Sequence, residues 1–145
     1  MGMKGLVCAL SPARLKILDE DPEIVNDLAD REVEVPGRAF FDAARMPKRL
    51  RARLPTDALL ILDCLEGKVG RGIGDEDGWA FGRPHVIEGD ELGGLGAALS
   101  ALKEMDDSEL DEDPDRMSDD AFLMRLTELV KQETARGGAL LVFIT

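Results

Sequence analysis

Gly137-Gly138-Ala139-Leu140-Leu141-Val142-Phe143-Ile144 is the stretch on which the fold turns. Two glycines stop whatever precedes them, and six apolar residues follow without a polar interruption. The run is too short for a buried helix and lacks the alternation of a strand with one wet face, so it reads as a strand buried on both faces. A second run of the same kind opens the chain: Lys4–Leu10 holds Leu6, Val7, Cys8, Ala9 and Leu10 in succession, bounded by Gly5 and by Ser11-Pro12. Two such strands at opposite ends of the chain are expected to pair in one small sheet covered by helices. The expected fold class is therefore α+β: a single domain over residues 1–145, with a sheet that includes both terminal strands and four to six helices over it. A chain of this length buries roughly two-thirds of the surface it exposes when unfolded, enough to fold without staples.

The helices follow from their boundary signals. Before Gly137, the spacing of Phe122, Leu126, Leu129 and Val130 predicts an apolar helical stripe. Ser118 is its expected N-cap, Asp119 and Asp120 lie at the positive end of the helix dipole, and Met117 is placed to staple onto Phe122. Gly137 then supplies a left-handed cap. After the first strand, Ser11-Pro12 and Asp21-Pro22 each mark a helix start. They predict short helices over residues 12–18 and 22–29, the second facing inward through Ile24, Val25 and Leu28. Thr56 or Asp57 is expected to cap an almost wholly apolar helix through Leu65, ended by Gly67. Residues 90–105 read as a helix with Leu92, Leu95, Leu99 and Leu102 on one stripe. Its glycines 93, 94 and 96 cost up to about 1 kcal/mol each relative to alanine, which implies close backbone packing against a neighbour. Val33 and Val35 alternate with Glu32 and Glu34 and fit either a short strand or a loop.

Charge divides the chain in two. The net charge is −12, yet residues 84–145 alone carry 15 acidic and 5 basic side chains. The acidity culminates in a run from Glu104 to Asp120, expected to be a solvated connection, in which Asp106, Asp107, Glu109, Asp111, Glu112, Asp113 and Asp115 form a candidate face for a basic partner. A surface so negative repels phosphate backbones, so no nucleic acid is expected as partner. By contrast, residues 38–53 carry six basic side chains (Arg38, Arg45, Lys48, Arg49, Arg51, Arg53) against Asp42 alone. This patch reads as a solvated face or else an anion or partner site, and it could dock internally on acidic residues. The apolar runs are far shorter than the ~20 residues of a membrane span, and the expectation is a cytoplasmic protein with no membrane partner. Cys8 and Cys64 each sit in an apolar segment, where a reduced, buried thiol is expected.

Motifs for chemistry are sparse. His85 is the only histidine and the two cysteines are far apart, so neither structural zinc nor another metal or cofactor is expected. Asp111-x-Asp113-x-Asp115 has calcium-like spacing, but no turn glycine follows Asp115 and Phe122 stands where a bidentate glutamate would fall, which rejects an EF-hand. Gly67-Lys68-Val69-Gly70-Arg71-Gly72-Ile73-Gly74 can turn backbone N–H groups toward an anion, but it has no Gly-Lys-Ser/Thr ending and no dinucleotide-site context. Residues 67–82 form a long glycine-rich loop. No Gly-x-Ser-x-Gly elbow occurs.

Several segments resemble the YfbM-like family of small bacterial proteins of unknown function. Met1-Gly2-Met3-Lys4-Gly5 looks like its opening, residues 54–67 resemble its central helix and Leu-x-Gly turn, residues 82–102 its turn plus helix, and residues 136–144 its closing strand. Where that family carries a Trp and a Leu-His pair in the central helix, this chain has Ala58 and Leu62. Where it shows Pro-Ala-Arg-Tyr, this chain has Arg83-Pro84-His85-Val86. The resemblance implies an α+β fold and no assigned activity.

These readings favour a non-catalytic interaction protein whose acidic half meets a basic protein partner, of inhibitor or immunity type. The alternative is a small enzyme or anionic-metabolite-binding domain built on the Gly67–Gly82 loop, with Lys68, Arg71, Trp79, Arg83 and His85 as its binding residues. A homo-oligomer is a third outcome, marked by an apolar patch on a glycine-bearing helix face.

Overall fold

The structure, a computed structural model, describes residues 4–30, 32–74, 79, 82–102 and 119–144. Five strands form one antiparallel sheet: β1 (Lys4–Leu10), β2 (Arg38–Asp42), β3 (Arg71–Gly72), β4 (His85–Glu88) and β5 (Ala139–Ile144). Their spatial order is β2-β1-β5-β4-β3, with β5 in the centre. The two terminal strands pair as expected, from Gly5 opposite Ile144 to Leu10 opposite Ala139. The described helices are α1 (Pro12–Glu20), α2 (Ile24–Ala29), α3 (Met46–Arg53), α4 (Leu60–Leu65), α5 (Gly89–Ser100) and α6 (Asp119–Arg136).

The unbroken apolar character of β1 and β5 has a simple cause: both faces of the sheet are covered. Val7, Ala9, Leu140 and Val142 point into a larger core with Phe41, Ile87 and side chains of α3, α4, α5 and α6. Leu6, Cys8, Leu10, Leu141 and Phe143 point the other way, into a smaller core under Leu18 of α1 and Val25 and Leu28 of α2. Successive side chains of a strand alternate between faces, so a strand sandwiched between helical layers must be apolar at every position. In the larger core Phe41 packs on Phe122 with ring centroids 5.3 Å apart.

The helix ends carry the signals read from the sequence. Ser11 accepts a hydrogen bond from the Arg14 backbone N–H at 3.2 Å. Gly137 has φ +74°, and the Gly138 N–H donates to the Glu133 carbonyl, the six-residue closure of a left-handed cap. Gly67 ends α4 in the same way, with φ +73° and the Lys68 N–H donating to the Asp63 carbonyl. Two of the four α5 glycines sit against neighbours: a methyl on Gly94 would meet Leu60 at 3.3 Å and one on Gly96 would meet Val130 at 3.4 Å, whereas Gly89 and Gly93 face open space.

Several expectations need correction. Residues 38–53 are more than a charged patch, for they hold β2 and α3. Residues 32–37 form no strand, and Val33 is exposed. Neither Thr56 nor Asp57 caps α4 with its side chain; a 3-10 turn, Thr56–Ala58, precedes it instead. The 67–82 loop contains β3, and His85–Glu88, which the sequence left unassigned, is β4. Helix α5 stops at Ser100; Met105, like Met117 and Ser118 before α6, lies outside the described residues.

Candidate functional site

The basic residues of β2 and α3 are drawn inward. Arg38 is buried, and its guanidinium donates to the carbonyls of Leu28, Asp30 and Val33 at 2.9, 2.7 and 2.6 Å while lying over the Phe40 ring. Those carbonyls belong to the last turn of α2 and the irregular stretch after it, which Arg38 holds to the sheet. On α3, Arg49 grips Asp119 through Nε and Nη2, both at 2.8 Å, and Arg53 reaches Asp120. Arg51 pairs with Glu66, which also takes Lys68 at 2.8 Å. Both cations hold the Glu66 carboxyl below its ordinary range, chiefly through the hydrogen bond from Lys68. The internal docking expected of this patch is therefore present, and it fixes the start of α6 against α3.

The sheet separates the residues of the alternative reading. Arg71 and Trp79 lie on the side of the smaller core: Arg71 pairs with Asp19 of α1 at 2.7 Å and with Glu88 at 3.2 Å, and Trp79 meets Phe143 edge-on at 5.4 Å. His85 projects to the other side, where a methyl on Gly67 would touch its ring at 3.5 Å. Gly72 is opposite His85 in the ladder. The space a side chain on Gly72 would fill is taken by the Arg83 guanidinium, so Arg83 and His85 share a face. Lys68 is engaged with Glu66. The Nδ1 atom of His85 is buried and has no hydrogen-bond partner among the described residues.

Cys8 and Cys64 are buried free thiols. Burial pushes Cys8 up to about 11, opposed in part by Arg14 and Arg38. Burial likewise pushes Cys64 up to about 12, reinforced by Asp63 and Glu91. Both are protonated at neutral pH, and a protonated buried thiol is a poor nucleophile. Among the described residues no group of three or more His, Cys, Asp or Glu side chains is arranged to hold a metal ion. The acidic face of Asp106, Asp107, Glu109, Asp111, Glu112, Asp113 and Asp115, and with it the calcium-like spacing, lies outside the described residues. No described helix is long and apolar enough to cross a membrane.

Two concavities lie away from His85 and the α3 arginines. A groove of about 300 Å³ opens between α5 and α6, along Gly93, Gly96 and Val130. A larger cavity of about 470 Å³ opens at the end of β1, lined by Arg14, Arg125, Gln132 and Arg136 beside Ser11 and Gly37. Sequence reasoning missed this second one because its arginines are far apart in the chain and each looks like an ordinary solvated helix residue. The one local signal was Ser11, already placed at the start of α1.

Comparison with family models, with curated proteins and with solved structures gives no match.

Proposed function

We propose that this chain is a non-catalytic, cytoplasmic binding protein whose acidic C-terminal half meets a basic protein partner, in the manner of an inhibitor or immunity protein. The observation that carries this reading is the engagement of the α3 arginines. Arg49, Arg51 and Arg53 already pair with Asp119, Glu66 and Asp120. The strongest cationic segment of the chain thus serves the fold, and the net charge of −12 calls for a cationic surface elsewhere. Two buried, protonated thiols and a sole histidine whose neighbours divide between two faces give catalysis little to work with. The likeness to YfbM-like proteins is compatible with this reading and adds no chemistry to it.

The test is retention of a partner by the immobilised protein at low salt and at about 0.5 M salt, where surface charges are screened within a few ångströms. A parallel run uses a variant with the seven acidic residues from Asp106 to Asp115 changed to Asn or Gln. A basic protein held at low salt, released at high salt and lost by the variant is the expected result. Retention that ignores both changes, or no retention even at low salt, refutes the reading.

A further inference from the structure

We propose that the cavity at the end of β1 is a binding site for a small phosphorylated metabolite, held by Arg14, Arg125 and Arg136. The site uses none of the acidic residues from Asp106 to Asp115 and stands or falls apart from the partner reading.

Its construction begins with the chain direction. Strand β1 ends at Leu10, Ser11 caps α1, and α1 starts there with the positive end of its dipole turned toward the cavity mouth. The Ala9 N–H donates to the Gly37 carbonyl at 2.8 Å, which brings the Pro36-Gly37 turn alongside as a wall. Gly37 has φ +75°, and a methyl there would press on Ala9 at 3.3 Å, so the wall stays low. The opposite wall is α6 from Arg125 to Arg136, where positions 125, 132 and 136 fall on one helical face.

The electrostatics are unusual for so acidic a chain. Arg136 is held by Glu133, a fully buried carboxylate that accepts from its Nε at 2.7 Å and its Nη2 at 2.5 Å. Gln132 donates to the same carboxylate at 3.1 Å. Among the described residues Arg125 pairs with Glu128, a well-exposed carboxylate 3.3 Å away. Arg14 has no carboxylate within ion-pair distance among the described residues, and its guanidinium reaches toward the Cys8 thiol. Three guanidinium groups thus line a concavity in which two carboxylates, buried Glu133 and exposed Glu128, are engaged with them, leaving positive charge where protein walls make it attract an anion more strongly than on an open surface.

Ligand class follows from shape and charge. Guanidinium forks match phosphate oxygens in pairs, and a tetrahedral dianion offers enough lone pairs to engage several of them where a single carboxylate does not. A volume of about 470 Å³ falls in the range of small-molecule sites and exceeds what a bare phosphate needs. The net charge of −12 repels long polyanions, so a phosphate monoester fits and a nucleic acid strand does not.

The experiment titrates the full chain with glycerol 3-phosphate, inorganic phosphate and succinate, followed by backbone amide NMR and calorimetry at low ionic strength. Saturable shifts at Ala13, Arg14, Gly37 and Arg125 are expected, with glycerol 3-phosphate tighter than succinate. Arg125→Gln, whose described partner Glu128 is exposed, and Arg14→Gln should each weaken glycerol 3-phosphate by about tenfold or more, as loss of a charge-assisted hydrogen bond does. Arg49→Gln, on α3 and paired with Asp119 at the far end of α6, should leave it unchanged. Shifts that grow linearly and scatter over surface lysines, affinity indifferent to Arg125→Gln, or succinate binding as tightly as glycerol 3-phosphate would each overturn the assignment.

Discussion

Raising the pH from 8 to about 10.5 should unfold this protein far more readily than its ordinary surface groups allow, and the two thiols set the size of the effect. In the unfolded chain a cysteine titrates near 9, whereas in the fold Cys8 is pushed to about 11 and Cys64 to about 12, in each case mainly by burial. Burial disfavours the charged thiolate, so above pH 9 the unfolded state sheds protons that the folded state keeps. Stability is then untouched below about pH 9 and falls as the pH climbs toward 11 for Cys8 and 12 for Cys64. Each thiol contributes a loss of about 1.4 kcal/mol per pH unit in that window, so the pair costs about 4 kcal/mol at pH 10.5. A domain of ordinary stability has ~5–15 kcal/mol to lose. The sequence contains no tyrosine, which removes the usual competing titration, and the described lysines are all exposed. Urea unfolding followed by the fluorescence of Trp79, the single tryptophan, measures the loss at pH 8, 9, 10 and 10.5. The variant Cys8→Ala/Cys64→Ala should start roughly 2 kcal/mol less stable at pH 8, from two small vacancies, yet lose much less between pH 9 and 10.5. Parallel decline of the two proteins would refute the reasoning, because it would mean that the thiols are as wet folded as unfolded.

Three further outcomes follow from the packing. A methyl on Gly5 would lie 2.1 Å from the Phe41 ring, its partner in the β1–β2 ladder. Gly5→Ala should therefore cost ~1–3 kcal/mol in chemical denaturation and regain part of that when combined with Phe41→Leu; an unchanged midpoint would show that the ring does not cover the glycine. Phe122→Ala removes the largest fully buried side chain, with an expected loss of ~3–5 kcal/mol, and a loss below 1 kcal/mol would deny it a central place. Arg49→Gln and Arg53→Gln break half-exposed pairs with Asp119 and Asp120. Each should cost only ~0.2–1 kcal/mol in low salt and less in high salt, and a salt-independent cost would mean that something other than charge holds α3 to α6.

What the sequence disclosed, and what it hid, divides along physical lines. The terminal strands and α6 were legible because their signals are local and consistent: unbroken apolar runs, a helical stripe, glycines at the stops. Strand β2 was hidden by Arg38, whose charge suggested solvent although its guanidinium is satisfied by three carbonyls that no local pattern reveals. Strand β4 was hidden by brevity, since two buried residues, Val86 and Ile87, between His85 and Glu88 make no period that can be counted. The arginine cavity was invisible for a third reason. Arg14 and Arg125 line one cavity only because β1 pairs with β5 and α6 packs across both, a relation that exists in the topology and in no stretch of chain.

The central place of β5 has a consequence for how the chain is made. Strand β1 pairs with β2 on one side and β4 with β3 on the other, but only residues 139–144 join the two halves. During synthesis those residues emerge after everything they connect, so the nascent chain carries two unclosed apolar borders, on β1 and on β4, until the final insertion. Exposed strand borders recruit other chains. Removing these six residues should thus yield insoluble aggregates in place of a soluble, folded sheet.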